Sequence, residues 1–238
     1  MMKTFLCLCL VAFVMVPVGD AQQDSSGILA KIDHLVYATP DLDTGIKTIE
    51  QLLGVRASAG GQHPGLGTRN ALVALGPSVY LEIIGPDPAQ AALGKTRRFG
   101  IDALKAPKLV GWVAKGQELE PFVSRARQNR VMLGDVIAGS RKRPDGVVLA
   151  WRYTDPNVVL EHRLIPYFID WGTSPHPAAT ATRGATLVAL RAEHPEADRL
   201  AAMLRQLGLN LPVTAGPKAE LIATLEGAKG RVEVRGAE

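Results

Sequence analysis

Cysteine is almost absent. Of 238 residues only Cys7 and Cys9 are thiols, and both lie in an N-terminal stretch expected to be removed. The mature chain should then have no disulfide, no thiolate nucleophile and no thiolate metal ligand, which excludes zinc-ribbon, cysteine-nucleophile and thiol-redox chemistry. Any metal must be held by His, Asp, Glu, carbonyls or water. Neither sign of charge dominates: 27 Lys and Arg oppose 23 Asp and Glu, for a net charge of +4. That mildly basic balance falls short of a nucleic-acid-binding surface, so no nucleic-acid partner is expected. Apolar runs of membrane length are missing too. The longest, Phe5–Val18, has 14 residues and would cover about 21 Å as a helix, against a hydrocarbon core of ~30 Å. No GxSxG elbow, GxxxxGK[ST] phosphate loop or HExxH helix occurs, and Gly65-Leu66-Gly67 is too short for a dinucleotide fingerprint.

What is present begins with a leader. Lys3, the run Phe5–Val18 and the small residues of Gly19-Asp20-Ala21 are the three parts of a signal peptide over residues 1–21. The product is expected to be exported, secreted or periplasmic, with no stable membrane insertion after cleavage. The remainder, in a chain 47% hydrophobic and 21% charged, has the composition of one large globular domain or two small ones.

A pattern then recurs. Lys31–Thr39 reads as a strand, Asp41 or Asp43 can cap a helix carrying Ile46, Ile49, Leu52 and Leu53 on one face, and Gly54 fits its end. Strands follow at Asn70–Leu75 and Val79–Ile84. The order returns with strand Lys108–Ala114, helix Leu119–Asn129, and strands Val131–Ala138, Val147–Tyr153 and Leu164–Trp171. A third copy has strand Thr186–Arg191, a helix from Pro195 closed by Gly208, and strands Leu221–Leu225 and Arg231–Val234. Strand starts near 34, 111 and 187 give a period longer than solenoid repeats, so each unit is a βαβββ module. The fold class is therefore α+β, with curved mixed sheets forming a cup. Two modules over about 31–86 and 108–172 fill residues 31–180, and a third βαβββ-like module spans 185–236. Three copies leave one without an internal partner, so a homodimer is an open possibility.

The chain resembles the glyoxalase-like branch of the vicinal oxygen chelate superfamily. The residues that carry the resemblance are Ile32-Asp33-His34-Leu35-Val36, the helix start Pro40-Asp41-Leu42-Asp43, and the loop from Gly60 to Thr68. Tyr80-Leu81-Glu82, Arg143-Pro144-Asp145-Gly146, Ile169-Asp170-Trp171-Gly172 and Pro175-His176-Pro177 complete the set. The resemblance implies paired βαβββ modules, often with a divalent metal on the concave face that polarises vicinal oxygens of a substrate. Isomerases, ring-cleaving dioxygenases, epimerases and metal-free binding proteins share that architecture, and fold alone does not choose among them.

His34 and Glu82 stand on strands that the superfamily pattern makes neighbours, each supplying one metal ligand. Imidazole plus carboxylate suits Fe, Mn, Ni, Co or Zn. The second module offers Gly111 or Trp112 where another ligand is expected, a departure from the pattern. Asp170 is the best replacement, with His63 or His176 outside candidates. A core histidine bonded to backbone and a paired edge carboxylate explain His34 and Glu82 as well. His63, in a glycine-rich loop, is a candidate to bind substrate or move a proton, with Glu82 the other catalytic candidate. Trp112, Trp151 and Trp171 can line the cup against an aromatic or acyl ligand or simply pack the core. Arg141, Lys142 and Arg143 form a solvated turn or a clamp for a substrate anion, Arg143 being its candidate contact; Arg97 and Arg98 are similar. The expected function is small-molecule binding in the cup, with metal-dependent lyase, isomerase or dioxygenase chemistry on vicinal oxygens, or metal-free sequestration.

Overall fold

A computed structural model describes residues 26–90 and 96–236; the expected leader over 1–21 lies outside the described residues. After a short helix α1 (Ser26–Leu29) come β1 (Ile32–Ala38), α2 (Leu42–Leu53), β2 (Ser58–His63), β3 (Thr68–Gly76) and β4 (Val79–Pro86). A second unit repeats the order: β5 (Lys108–Lys115), α3 (Leu119–Gln128), β6 (Val136–Lys142), β7 (Val148–Thr154) and β8 (Tyr167–Asp170). The third is β9 (Thr186–His194), α4 (Ala197–Gln206), β10 (Val213–Ala215), β11 (Glu220–Gly227) and β12 (Gly230–Arg235). The fold is mixed α+β, and no described helix is long and apolar enough to cross a membrane.

Local chemistry accounts for the helix ends. The Asp41 side chain accepts the Thr44 N–H at 2.8 Å and caps α2. Gly54 ends α2 and Gly208 follows α4, both at φ 73°, a left-handed conformation that a side chain disfavours. Between its ends α2 buries Ile49 and Leu53 completely, each contributing on the order of 2 kcal/mol. Two segments depart from expectation. The strand expected over Val131–Ala138 lies at Val136–Lys142, which puts Arg141 and Lys142 on the strand and only Arg143 in the turn. Gly60–Thr68, expected as a loop, contains the end of β2, a turn, and the first residue of β3. A bulge between Ala59 and Gly61 absorbs the glycine pair into the strand.

The first eight strands close a barrel in the order β1-β4-β3-β2-β6-β7-β8-β5. Within each unit the first and last strands lie side by side and parallel, β1 with β4 and β5 with β8. The halves join along the antiparallel β1–β5 seam and, more sparsely, where Gln62 of β2 meets Lys142 of β6. Strand alternation sorts the side chains. Leu35, Tyr37, Leu81 and Ile83 turn outward onto the helical core. Val36, Ala38, Ile84, Val113 and Ile169 pack together on the inner face.

The third unit keeps the order of elements but not the pairing. Its sheet runs β10-β9-β11-β12, so β9 lies between β10 and β11 and away from the last strand. The second strand, β10, has 3 residues; Pro212 and Pro217 bracket it, and prolines confine a strand to an edge. Leu190, Leu204, Ile222 and Leu225 are fully buried. Leu190, Leu204 and Leu225 belong to the same continuous core as Leu53, Leu109 and Trp112 of the barrel units. The sheet packs on α2 and on β3 and β5 of its own chain, so covering it requires no second copy.

Candidate active site

Inside the barrel lies a cavity of about 610 Å3, open mouth included. Its ionisable lining starts at a slip in β1. The register against β5 shifts between Ile32 and His34, which puts Asp33 at a bulge and lets two adjacent side chains serve the interior. Asp33 is 1% exposed. Its carboxylate meets His34 Nδ1 at 2.7 Å, the Trp171 indole N–H at 3.0 Å and His176 Nε2 at 3.2 Å. Burial alone would raise its pKa, but the bonds from His176 and His34 more than offset that and hold it at about 2. Asp33 is ionised, so the His34 Nδ1–H donates to it, which fixes the ring with Nε2 on the cavity side. Nε2 lies 3.4 Å from the Tyr167 hydroxyl and 3.8 Å from Glu82 Oε2. The His34 ring stacks on Tyr80 with centroids 4.5 Å apart.

Glu82 stands between two imidazoles. Its Oε1 accepts the Asn70 amide at 2.6 Å and lies 3.8 Å from His63 Nε2. The same Asn70 nitrogen approaches His63 Nε2 at 3.3 Å, and His63 Nδ1 reaches the Thr68 hydroxyl at 2.9 Å. Burial pushes the His63 pKa down, against the pull of Glu82 and with help from Arg141 and Arg98, so the ring is neutral at pH 7. Burial raises Tyr80 and Tyr167 well above the usual phenol range, with nearby carboxylates adding to the shift. Both remain protonated donors.

The far wall is aromatic. The Trp151 and Trp171 rings lie 5.1 Å apart, Trp151 lies 6.2 Å from Tyr153, and Tyr153 lies 6.1 Å from Tyr167. Phe99 and Arg98 come from the connector between the units, where Arg98 donates to the Tyr153 hydroxyl at 3.0 Å. Arg141 enters from β6.

The structure thus gathers His34, His63 and Glu82, with Trp151 and Trp171 in the wall. The other candidates lie elsewhere. Trp112 does not line the cavity: Val113 takes the inward position, so Trp112 is 1% exposed in the outer core and donates to the Leu164 carbonyl at 3.0 Å. Asp170 alternates with inward Ile169 and Trp171, and its carboxylate caps the Gly172 N–H at 2.8 Å. Arg143 sits in the turn after β6, paired with Asp145 at 2.6 Å. His176 stands behind the wall as partner of Asp33 and cap of the Pro177–Ala179 turn. Sequence reading missed Asp33, Asn70, Tyr80, Tyr153 and Tyr167 as site residues. The available signal was parity: Tyr80 and Asn70 lie an even number of residues from Glu82 and Thr68 on the same strands.

The donor set does not fit a metal ion as it stands. Among the described residues no group of three or more His, Cys, Asp or Glu is arranged to hold one. His34 and His63 face different oxygens of Glu82, one of which already carries the Asn70 amide. The matching strands of the second half present Val113, Tyr167 and Ile169 inward, which supply no strong ligand.

Two βαβββ units closed around one cavity, with ionisable residues on the first and rings on the second, define the glyoxalase-like architecture of the vicinal oxygen chelate superfamily. The chain belongs to the glyoxalase-like domain family, whose model matches residues 32–208. Among solved structures it is similar to a hypothetical protein from Staphylococcus aureus, at 13% identity over 86% of this chain and 84% of that one, TM-score 0.58. It is also similar to methylmalonyl-CoA epimerase from Mycobacterium tuberculosis, at 16% identity over 65% of this chain and 95% of that one, TM-score 0.39. A Streptomyces coelicolor methylmalonyl-CoA epimerase in complex with 2-nitronate-propionyl-CoA gives 16% identity, 58% and 95% coverage, and TM-score 0.39. No curated protein matches.

Proposed function

We propose that the cavity is an active site for proton transfer at a carbon beside a carbonyl, with His34 as the base. The observation that carries this reading is the Asp33–His34 pair: an ionised, buried carboxylate on Nδ1, with Nε2 on the cavity side 3.4 Å from the Tyr167 hydroxyl. Nε2 takes the C–H proton, and the C–H electron pair moves onto the carbonyl, forming an enolate or enediolate oxygen. The protonated phenol of Tyr167, 3.4 Å from Nε2, is a donor to that oxygen. Protonating the same carbon from the opposite face completes an epimerisation; protonating the neighbouring carbon of an enediolate, while the hydroxyl proton of the first carbon leaves so that its oxygen becomes the new carbonyl, completes an isomerisation. Glu82 and neutral His63 are the groups to which His34 can pass the proton onward. A divalent Fe, Mn, Ni, Co or Zn ion, expected from the superfamily, would need donors beyond His34 and Glu82, and no step here runs through one.

The test is solvent exchange. In deuterated water the protein should exchange the CH2 protons of phenylpyruvate, and His34→Gln should slow this by about 10²–10⁴-fold, the usual worth of a general base. Undiminished exchange by that variant would falsify the assignment. A second reading, sequestration without turnover, is favoured by the wall of Trp151, Trp171 and Tyr153; binding with no exchange would establish it. We also propose export, supported by the leader pattern of residues 1–21. Expression with secretion should yield a chain beginning at Gln22, and N-terminal sequencing that finds Met1 on the exported product overturns cleavage.

A further inference from the structure

We infer that Arg141 is the anchor for a substrate carboxylate, so that the molecule taken up is an organic acid with an aromatic or acyl body. This rests on the proton-transfer reading for what happens to the acid, but not for its binding. Arg141 is only 4% exposed, whereas its strand neighbours Ser140 and Lys142 are exposed. A guanidinium withdrawn from water this far normally has a carboxylate beside it, because an uncompensated buried charge is costly. Here the only protein partner found among the described residues is the Gly60 carbonyl. That carbonyl is available because the β2 bulge between Ala59 and Gly61 takes Gly60 out of the ladder. The nearest cavity carboxylate, Glu82, is bound by Asn70 at 2.6 Å and makes no ion pair with Arg141.

A guanidinium has five N–H donors in a planar fork, and the Gly60 carbonyl uses one nitrogen. The side chain borders both the barrel cavity and a second hollow with Ser58, Leu72 and Thr180. The other guanidinium N–H groups have no hydrogen-bond acceptor among the described residues. A planar carboxylate matches two of them with parallel bonds. Burial lowers the pKa of Arg141, yet a guanidinium stays charged at any physiological pH. Arg98, tied to the Tyr153 hydroxyl, adds a second positive group to the lining. The remaining wall, built from Trp151, Trp171, Tyr153 and Phe99, has no use for a polar body but suits a flat or acyl one.

Calorimetry on the full chain with phenylpyruvate and its neutral analogue phenylpyruvamide tests this. The wild type should bind the acid at least about 10-fold more tightly than the amide, as expected of hydrogen bonds to a charged group. Arg141→Gln should weaken acid binding by about 10- to 100-fold and leave the amide unchanged, while Arg141→Lys recovers part of the loss. Equal affinity of the wild type for both compounds, or no binding of either, overturns the proposal, as does an Arg141→Gln protein that keeps the preference. Should Arg141→Gln fail to fold, the wild-type comparison and the Lys variant decide. His34→Gln separates the two readings: it should keep the preference for acid and lose exchange. Acid preference without exchange in the wild type sinks the base and spares the anion site; exchange without acid preference does the reverse.

Discussion

Asp33 is the residue on which the ionisable cluster turns. It receives His34, His176 and Trp171 at once, and its pKa of about 2 lies below the ordinary 3.8. A depressed carboxyl pKa stabilises the fold above the unfolded value, and that stability is lost as pH falls from about 4 through 2. His63 has the opposite charge type, and burial lowers its pKa too. The unfolded chain therefore binds its proton first, and stability falls as pH drops below about 6.5. Denaturation midpoints across pH should thus decline in two stages, one starting near 6.5 and one between 4 and 2. His63→Gln should remove the first stage, and a flat profile from pH 7 to 5 in the wild type contradicts a buried neutral His63. Asp33→Asn weakens the bonds that His34, His176 and Trp171 make to the carboxylate and should cost about 1.5–3 kcal/mol, the scale of hydrogen bonds to a charged group. Urea melts and exchange rates of that variant report both effects, and unaltered exchange would separate Asp33 from the chemistry.

At the scale of elements, the bulges explain both what was legible and what was not. Hydrophobic periodicity and capping signals outlined both barrel helices and most of their strands, because those signals are local. Asp41 and Gly54 mark the ends of α2 where expected. Strand parity is also local, but it fails wherever a residue is inserted. The slip at Asp33 turns a residue that simple alternation would send outward into the partner of His34. The bulge at Gly60 made a strand look like a loop. Trp112 illustrates the same sensitivity, since a shift of one position exchanges the two faces. Long-range pairings such as Arg141 with Gly60, 81 residues apart, leave no local trace. The Gly60 bulge gives a sharp test. A methyl group there would be driven against the Asn70 side-chain oxygen and lie 2.9 Å from its Cγ, displacing the amide that holds Glu82. Gly60→Ala should cost about 1–3 kcal/mol by overpacking, read by chemical denaturation. Wild-type stability and exchange in this variant would show that the bulge has slack.

At the scale of the molecule, the three units share one hydrophobic core. Leu190, Leu204 and Leu225 of the third unit join Leu53, Leu109 and Trp112 of the first two, although its sheet is separate from the barrel. One calorimetric transition is expected for the whole chain, and a chain ending at residue 184 should expose the covered faces of α2, β3 and β5 and fail to unfold cooperatively. Two resolved transitions, or a cooperative fragment, would mean the barrel stands without that cover. The barrel itself is lopsided in its gifts to the cavity: His34, His63 and Glu82 come from β1, β2 and β4, whereas Trp151 and Tyr153 come from β7 and Trp171 from the residue just after β8. Reagent and mould are therefore borne by different stretches of chain. Resizing the three rings can retune which guest is admitted while His34, His63 and Glu82 stay where they are, so a single scaffold has room to change its diet without relearning its chemistry.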